Sequence, residues 1–190
     1  MNTIERYDAL RDGAAIALRA STGAKKVVFA APICSAEAVL AVGVGAQLGA
    51  YQFNNYKSQA PKKGPAKAVA LVVPNPRDED SRSALKNANT VADNVCFARD
   101  LINTPAADLH PDDLAQAVAA RALDLGLDVE ILDEEQLVEG GYGGIVGVGK
   151  GSSDPPRLVR MTYKGGKGRK NAKKVALIGK GITFDTGGIS

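Results

Sequence analysis

The chain has 190 residues, 45% hydrophobic and 24% charged, with 5% aromatics and no Trp. This is the balance of a globular protein whose core is built from Ala, Val, Leu and Ile, and it excludes collagen, coiled coil and disorder as whole-chain descriptions. The net charge of +3 is too small to argue by itself for a nucleic-acid or membrane partner. Cys34 and Cys96 form no disulfide framework, the N-terminus is polar, and no apolar run reaches bilayer length. The cytoplasm is therefore the expected compartment.

In chain order, residues 4–19 read as a helix of modest amphipathicity, and 26–31 as a short buried strand stopped by Pro32. Ser35 can cap a helix running to about Tyr56, in which Gly43 and Gly45 either weaken the helix or mark close packing. Residues 57–67 are a polar loop and 68–73 a second buried strand. From Asp78 to Ile102, Leu85, Ala88, Val91, Ala92, Val95, Ala98 and the stem of Arg99 recur at three and four, a long amphipathic helix broken at Asn103-Thr-Pro105. Pro111 starts a helix that Gly126 ends. Residues 128–132 alternate as a strand, and Asp133 with Gln136 forms a capping box for a short helix. Two further strands are expected at 157–163 and 174–178. The order is that of an α/β fold, with a domain boundary inside the long helix. The two strands and two helices before it are too few to bury a well-formed sheet. They are expected to lean on the second part or on strands preceding Met1.

Several stretches resemble chemical motifs. Gly144 to Ser152 has the G-x-x-x-x-G-K spacing of a phosphate loop, but Gly151 stands where Ser or Thr would ligate magnesium. A dinucleotide fingerprint fails because Ser152 takes the place of the third glycine. A glycine-rich turn is the preferred reading. Lys164, Lys167, Arg169, Lys170, Lys173 and Lys174 form a basic run without interleaved aromatics, which favours a solvated hairpin over a phosphate-binding patch. His110, the single histidine, has no second His and no nearby Cys to make a metal site with.

The last segment, Lys174 to Ser190, carries the most chemistry. An apolar strand ends at Gly179, and sites in α/β sheets lie beyond the carboxyl ends of strands. Lys180 follows directly, with Asp185 five residues on, both beside glycines. A desolvated neutral amine can coordinate a metal, and a neighbouring carboxylate can bridge two divalent cations that activate water. Two other readings stay open on residue chemistry alone. One is the D-T-G of aspartic proteases, here without a second copy and with Gly188 where Ser or Thr belongs. The other is a Lys–Asp ion pair in a glycine-rich turn.

LIGKGITFDTGGIS resembles the first metal-binding motif of the leucyl (cytosol) aminopeptidases, which are dinuclear metallopeptidases. Two more blocks match in order: Phe97 to Leu109 resembles A-R-x-L-x-N-x-P-x-x-x-L, and Gly143 to Ser152 followed by Pro156-Arg157-Leu158 resembles G-x-x-x-V-G-x-G-S…P-R-L. Residues 1–76 resemble the back half of the family's more variable N-terminal domain.

The resemblance implies a partial N-terminal α/β domain at 1–82, a connecting helix at 83–100 and the start of the catalytic domain at 101–190. It implies that Lys180 and Asp185 are metal ligands, Asp185 bridging two divalent ions and Lys180 binding one through its neutral amine. The ions would be manganese or zinc, with magnesium as a third option. A metal-bridging water would attack the scissile carbonyl of a peptide and release its N-terminal residue. It implies a homohexamer in the cytoplasm acting on peptide substrates; no membrane partner is expected, and a nucleic-acid partner is the less favoured reading. It also makes the glycine block structural. The family's catalytic lysine and its other ligands are expected beyond Ser190, so the isolated chain is expected to be an inactive internal piece of a longer enzyme. A nucleic-acid-binding role for the basic 164–174 run and an inert scaffold are the alternatives.

Overall fold

The computed structural model describes residues 3–30, 33–59, 61–165 and 173–183. Packing divides the chain into two units, residues 1–103 and 104–190.

In the first unit the elements are α1 (Thr3–Ala20), β1 (Val27–Phe29), α2 (Ala36–Ala50), β2 (Val69–Leu71) and α3 (Glu79–Asn103). β1 and β2 pair in parallel, Val27 with Val69 and Phe29 with Leu71, and α2 makes the crossover that parallel strands require. Ser35 caps α2 as expected, its Oγ accepting the Ala38 N–H at 3.2 Å. α2 is apolar on every side because it lies between α1 and α3, and Ala38, Val39, Val42 and Ala46 on it are buried. With Ala14, Ile33 and Ala84 they form the core, against which Phe29, Leu71 and Val73 pack.

The glycines of α2 mark close approach. A Cβ on Gly43 would stand 2.8 Å from that of Ala88, and one on Gly45 2.0 Å from the Arg11 carbonyl oxygen. α3 meets α2 along the alanine row Ala84, Ala88 and Ala92, so the buried stripe is narrower than the periodicity suggests. Leu85, Val91 and Ala98 are exposed, and Ile102 is 80% exposed.

Two expectations for this unit are corrected. α2 ends at Ala50 rather than near Tyr56, because Tyr51 leaves the helix at φ −58°, ψ 133° and is held at the end of α3. Its hydroxyl donates to Asp100 at 2.8 Å and accepts from Asn103 at 3.0 Å, and the Arg99 guanidinium sits 5.5 Å from the ring centre. The strands at 26–31 and 68–73 pair over three residues each, and Val28, Val69 and Val72 are exposed. A two-stranded sheet covered by helices on one side leaves alternate side chains in solvent.

The second unit contains a 3-10 turn at Ala106–Asp108, α4 (Pro111–Asp124), β3 (Asp128–Leu132), α5 (Glu134–Glu139), α6 (Gly143–Gly149) and β4 (Leu158–Thr162). Pro111 stands at the first helical position of α4, and Gly126, at φ +72°, follows its end. The Leu127 N–H then closes on the Ala122 carbonyl at 3.0 Å. Ala115, Ala119 and Ala122 are buried, and α4 packs on both β3 and β4. β3 and β4 are antiparallel, from Asp128 opposite Thr162 to Leu132 opposite Leu158. The Asp133–Gln136 capping box forms as read, and Leu137 of α5 is fully buried.

Here too the structure departs from the sequence reading. Residues 143–149 are a helix, not a turn. Gly149 permits it, since a Cβ there would stand 2.5 Å from the Pro156 ring. Residues 174–178 do not form a strand. Val175 is 83% exposed, and Leu177 and Ile178 are each 96% exposed. An all-apolar strand is stable when sheet neighbours and helices cover it, and among the described residues β3 and β4 pair only with each other.

Candidate functional site

Lys180 lies in the irregular, exposed segment that follows residues 174–178. Its side chain is exposed among the described residues. Its neighbour Gly181 is packed: a Cβ there would stand 3.2 Å from Leu114 of α4. Asp185 and the rest of its D-T-G-G-I-S run lie outside the described residues. Among the described residues no three His, Cys, Asp or Glu side chains converge as a metal site. The described residues therefore do not by themselves make a metal centre.

Arg157, at the end of the second motif block, carries a charge cluster. This guanidinium, with its side chain 17% exposed, donates from Nε to Asp112 at 2.9 Å and from one terminal nitrogen to Glu134 at 2.6 Å. The same nitrogen reaches the Pro156 carbonyl at 3.1 Å. The hydrogen bond to Asp112 leads in pushing its pKa up, and Glu134 adds to the effect. Arg157 thus ties the first turn of α4 to the first turn of α5 at the start of β4. Three separate elements contribute these charges, so sequence spacing could not announce the cluster. The one signal was an arginine directly before an apolar strand.

His110 precedes α4, and its backbone N–H donates to Asp113 at 2.9 Å. Its ring lies 3.2 Å from the same carboxylate and 4.0 Å from Asp154. It is a helix-start residue between two carboxylates, with no second imidazole or thiolate to complete a metal site. In the basic run, Lys164 pairs with Asp128 across β3 and β4 at 2.6 Å, and that contact pushes its pKa up. Lys173 and Lys174 are exposed, while Lys167, Arg169 and Lys170 lie outside the described residues. The glycine block that resembles a phosphate loop presents a helix packed on α5 and Pro156, a structural element. A cleft of about 510 Å³ opens beside it, lined by Val138, Val146, Pro155 and Pro156 with Glu135 and Lys150 among the polar groups.

The fold mixes helices and strands, and the chain carries the three motif blocks in order. Residues 96–190 match the catalytic domain of the cytosol aminopeptidase family, and the chain belongs to that family. It is 45% identical over 187 residues to a probable cytosol aminopeptidase of Streptomyces avermitilis, covering 96% of this chain and 36% of that protein. It is 48% identical over 185 residues to one of Nocardia farcinica, covering 95% and 35%. Among solved structures it resembles the bottromycin maturation enzyme BotP in complex with Mn, with a TM-score of 0.72 and 32% identity over 83% of this chain and 33% of that one. A tomato leucine aminopeptidase mutant shares the fold at a TM-score of 0.67 and 23% identity, over 84% of this chain and 33% of that one. The chain spans little more than a third of the length of the relatives it matches.

Proposed function

We propose that this chain is part of a metal-dependent aminopeptidase that releases N-terminal residues, leucine and similar apolar ones among them, from peptides. Lys180 and Asp185 are its contribution to the metal ligands, Asp185 toward both ions. The observation that carries this reading is the match of residues 96–190 to the family's catalytic domain. The manganese in the similar BotP structure supports a divalent cofactor, and lysine and carboxylate ligands also admit zinc or magnesium.

Residues 1–82 are assigned to a partial N-terminal domain, 83–100 to the connecting helix and 101–190 to the start of the catalytic domain. The relatives' name, cytosol aminopeptidase, supports a cytoplasmic location. A homohexamer is assigned on the resemblance alone. Residues 1–190 by themselves are expected to lack peptidase activity, because two ligands do not define a dinuclear site.

The test is a chimera in which this chain replaces the matching 187-residue segment of the Streptomyces avermitilis relative. It should hydrolyse leucyl p-nitroanilide with manganese. Asp185→Ala should lower both bound metal and rate by more than the roughly 10–100-fold that loss of an outer-shell partner causes. A folded Asp185→Ala chimera with full metal content and full activity would overturn the assignment.

A further inference from the structure

The first turn of α4 is gripped by one set of contacts and supports another segment. Directly before β4, Arg157 donates to Asp112 in that turn at 2.9 Å, to Glu134 of α5 at 2.6 Å and to the Pro156 carbonyl at 3.1 Å. A guanidinium is planar and its donors point in fixed directions, so gripping two carboxylates sets the spacing of the elements that carry them. The His110 ring, 3.2 Å from Asp113 and 4.0 Å from Asp154, adds a second tie between this turn and the approach to β4. The buried positions further along α4 are Ala115, Ala119 and Ala122, each presenting a single methyl. The charged fork is thus the directional contact that sets where the helix starts.

Leu114 belongs to the same turn, and its N–H donates to the His110 carbonyl at 3.0 Å. One of its terminal methyls lies 3.2 Å from where a Cβ on Gly181 would stand. Carbon atoms in optimal contact lie about 3.5–4.0 Å apart. Glycine at 181 therefore lets this segment lie closer to α4 than a residue with a side chain would. Gly181 directly follows Lys180, and Thr183, two residues further, is half-buried while the residues around Lys180 are exposed. Within the segment, the contact with Leu114 is the one that ties the neighbourhood of Lys180 to a regular element.

We infer that Arg157 is a positioning residue for the segment that carries Lys180 and leads to Asp185. It holds Asp112, Asp112 and Leu114 share one helical turn, and Leu114 is the surface on which Gly181 rests. A guanidinium stays protonated and offers no lone pair to a metal, so Arg157 supplies no ligand; it sets where the segment lies. The inference deepens the peptidase reading and rests on it for the metal, since a lysine nitrogen and a carboxylate oxygen are donors that divalent ions accept. Such donors must be held within about 0.5 Å of the productive geometry, a tolerance that a loosened helix start would exceed.

The test has two arms. In the full chain without metal, nuclear Overhauser contacts between the Leu114 methyls and the Gly181 α-protons read the seating of the segment. They should be present in the parent and lost in Arg157→Gln. Asp112→Asn, at an exposed position that leaves the fold intact, should weaken them in the same way. Arg160→Gln, which breaks the exposed pair with Glu130 across β3 and β4, should leave them unchanged. In the chimera with the Streptomyces avermitilis relative, calorimetry should show manganese bound about 10-fold more weakly by Arg157→Gln and by Leu114→Ala. The double variant should bind no more weakly than the worse single one, because both residues act along one line of contacts. A merely structural role would lower the thermal midpoint and leave the manganese affinity of the folded protein unchanged. Leu114–Gly181 contacts that persist in Arg157→Gln, or losses of affinity that multiply in the double variant, would overturn the inference. A parent chimera that binds no manganese would instead overturn the peptidase reading, and the contacts in the full chain would then decide the positioning role.

Discussion

Replacing Gly45 by alanine tests the packing of the first unit most directly. The new methyl carbon would stand 2.0 Å from the Arg11 carbonyl oxygen and 2.8 Å from its carbon. An ordinary carbon–oxygen contact is about 3.3 Å, so α1 would have to withdraw by more than about 1 Å along the face that buries Ala14 against α2. Overpacking typically costs about 1–3 kcal/mol, and an obstacle of main chain rather than a flexible side chain belongs at the upper end. Alanine returns about 1 kcal/mol through its better helix propensity. The net loss is about 2 kcal/mol, or a thermal midpoint roughly 8–16 °C lower for a unit of this size. Gly13 of α1 is the control, because nothing lies within 4 Å of its Cβ position. Gly13→Ala should gain about 0.5–1 kcal/mol and raise the midpoint by a few degrees. Thermal and urea unfolding of the full chain, followed by far-ultraviolet circular dichroism, reads both. A Gly45→Ala chain as stable as the parent would refute the close α1–α2 contact.

Two further outcomes follow from local chemistry. Asp78, just before α3, accepts the Ser81 N–H at 2.8 Å, and hydrogen bonds from the Ser81 side chain and backbone hold its carboxyl below the ordinary 3.8. A depressed carboxyl stabilises the fold above its unfolded pKa and loses that contribution as pH falls through the lower folded value. The start of α3 should therefore weaken below about pH 4, and Asp78→Asn should remove that part of the acid dependence of stability measured between pH 5 and 2. For the two thiols, Cys34 is exposed, whereas burial pushes the Cys96 thiol up despite Arg99. An aromatic disulfide reagent at pH 7.5 should modify Cys34 first, and Cys34→Ser should leave one slowly reacting thiol; equal rates would contradict the placement of Cys96.

The elements that were legible in the sequence are those whose causes are local. Ser35 capping α2, Pro111 at the start of α4, Gly126 after its end and the Asp133–Gln136 box each satisfy main-chain groups within a turn, so a short window contains the cause. The motif order that identifies the family was legible for the same reason, since it needs only the residues and their spacing. Distant partners decided the rest. α2 stops at Ala50 because Asp100 and Asn103, about fifty residues on, hold Tyr51. Residues 143–149 are helical, against the entropy of their glycines, because Gly149 leaves room for Pro156 and α5 packs alongside. Residues 174–178 have the composition of a strand and no ladder, because a strand exists only through the hydrogen bonds of a neighbour. Arg157 joins Asp112 and Glu134 from three elements, a meeting no spacing rule contains.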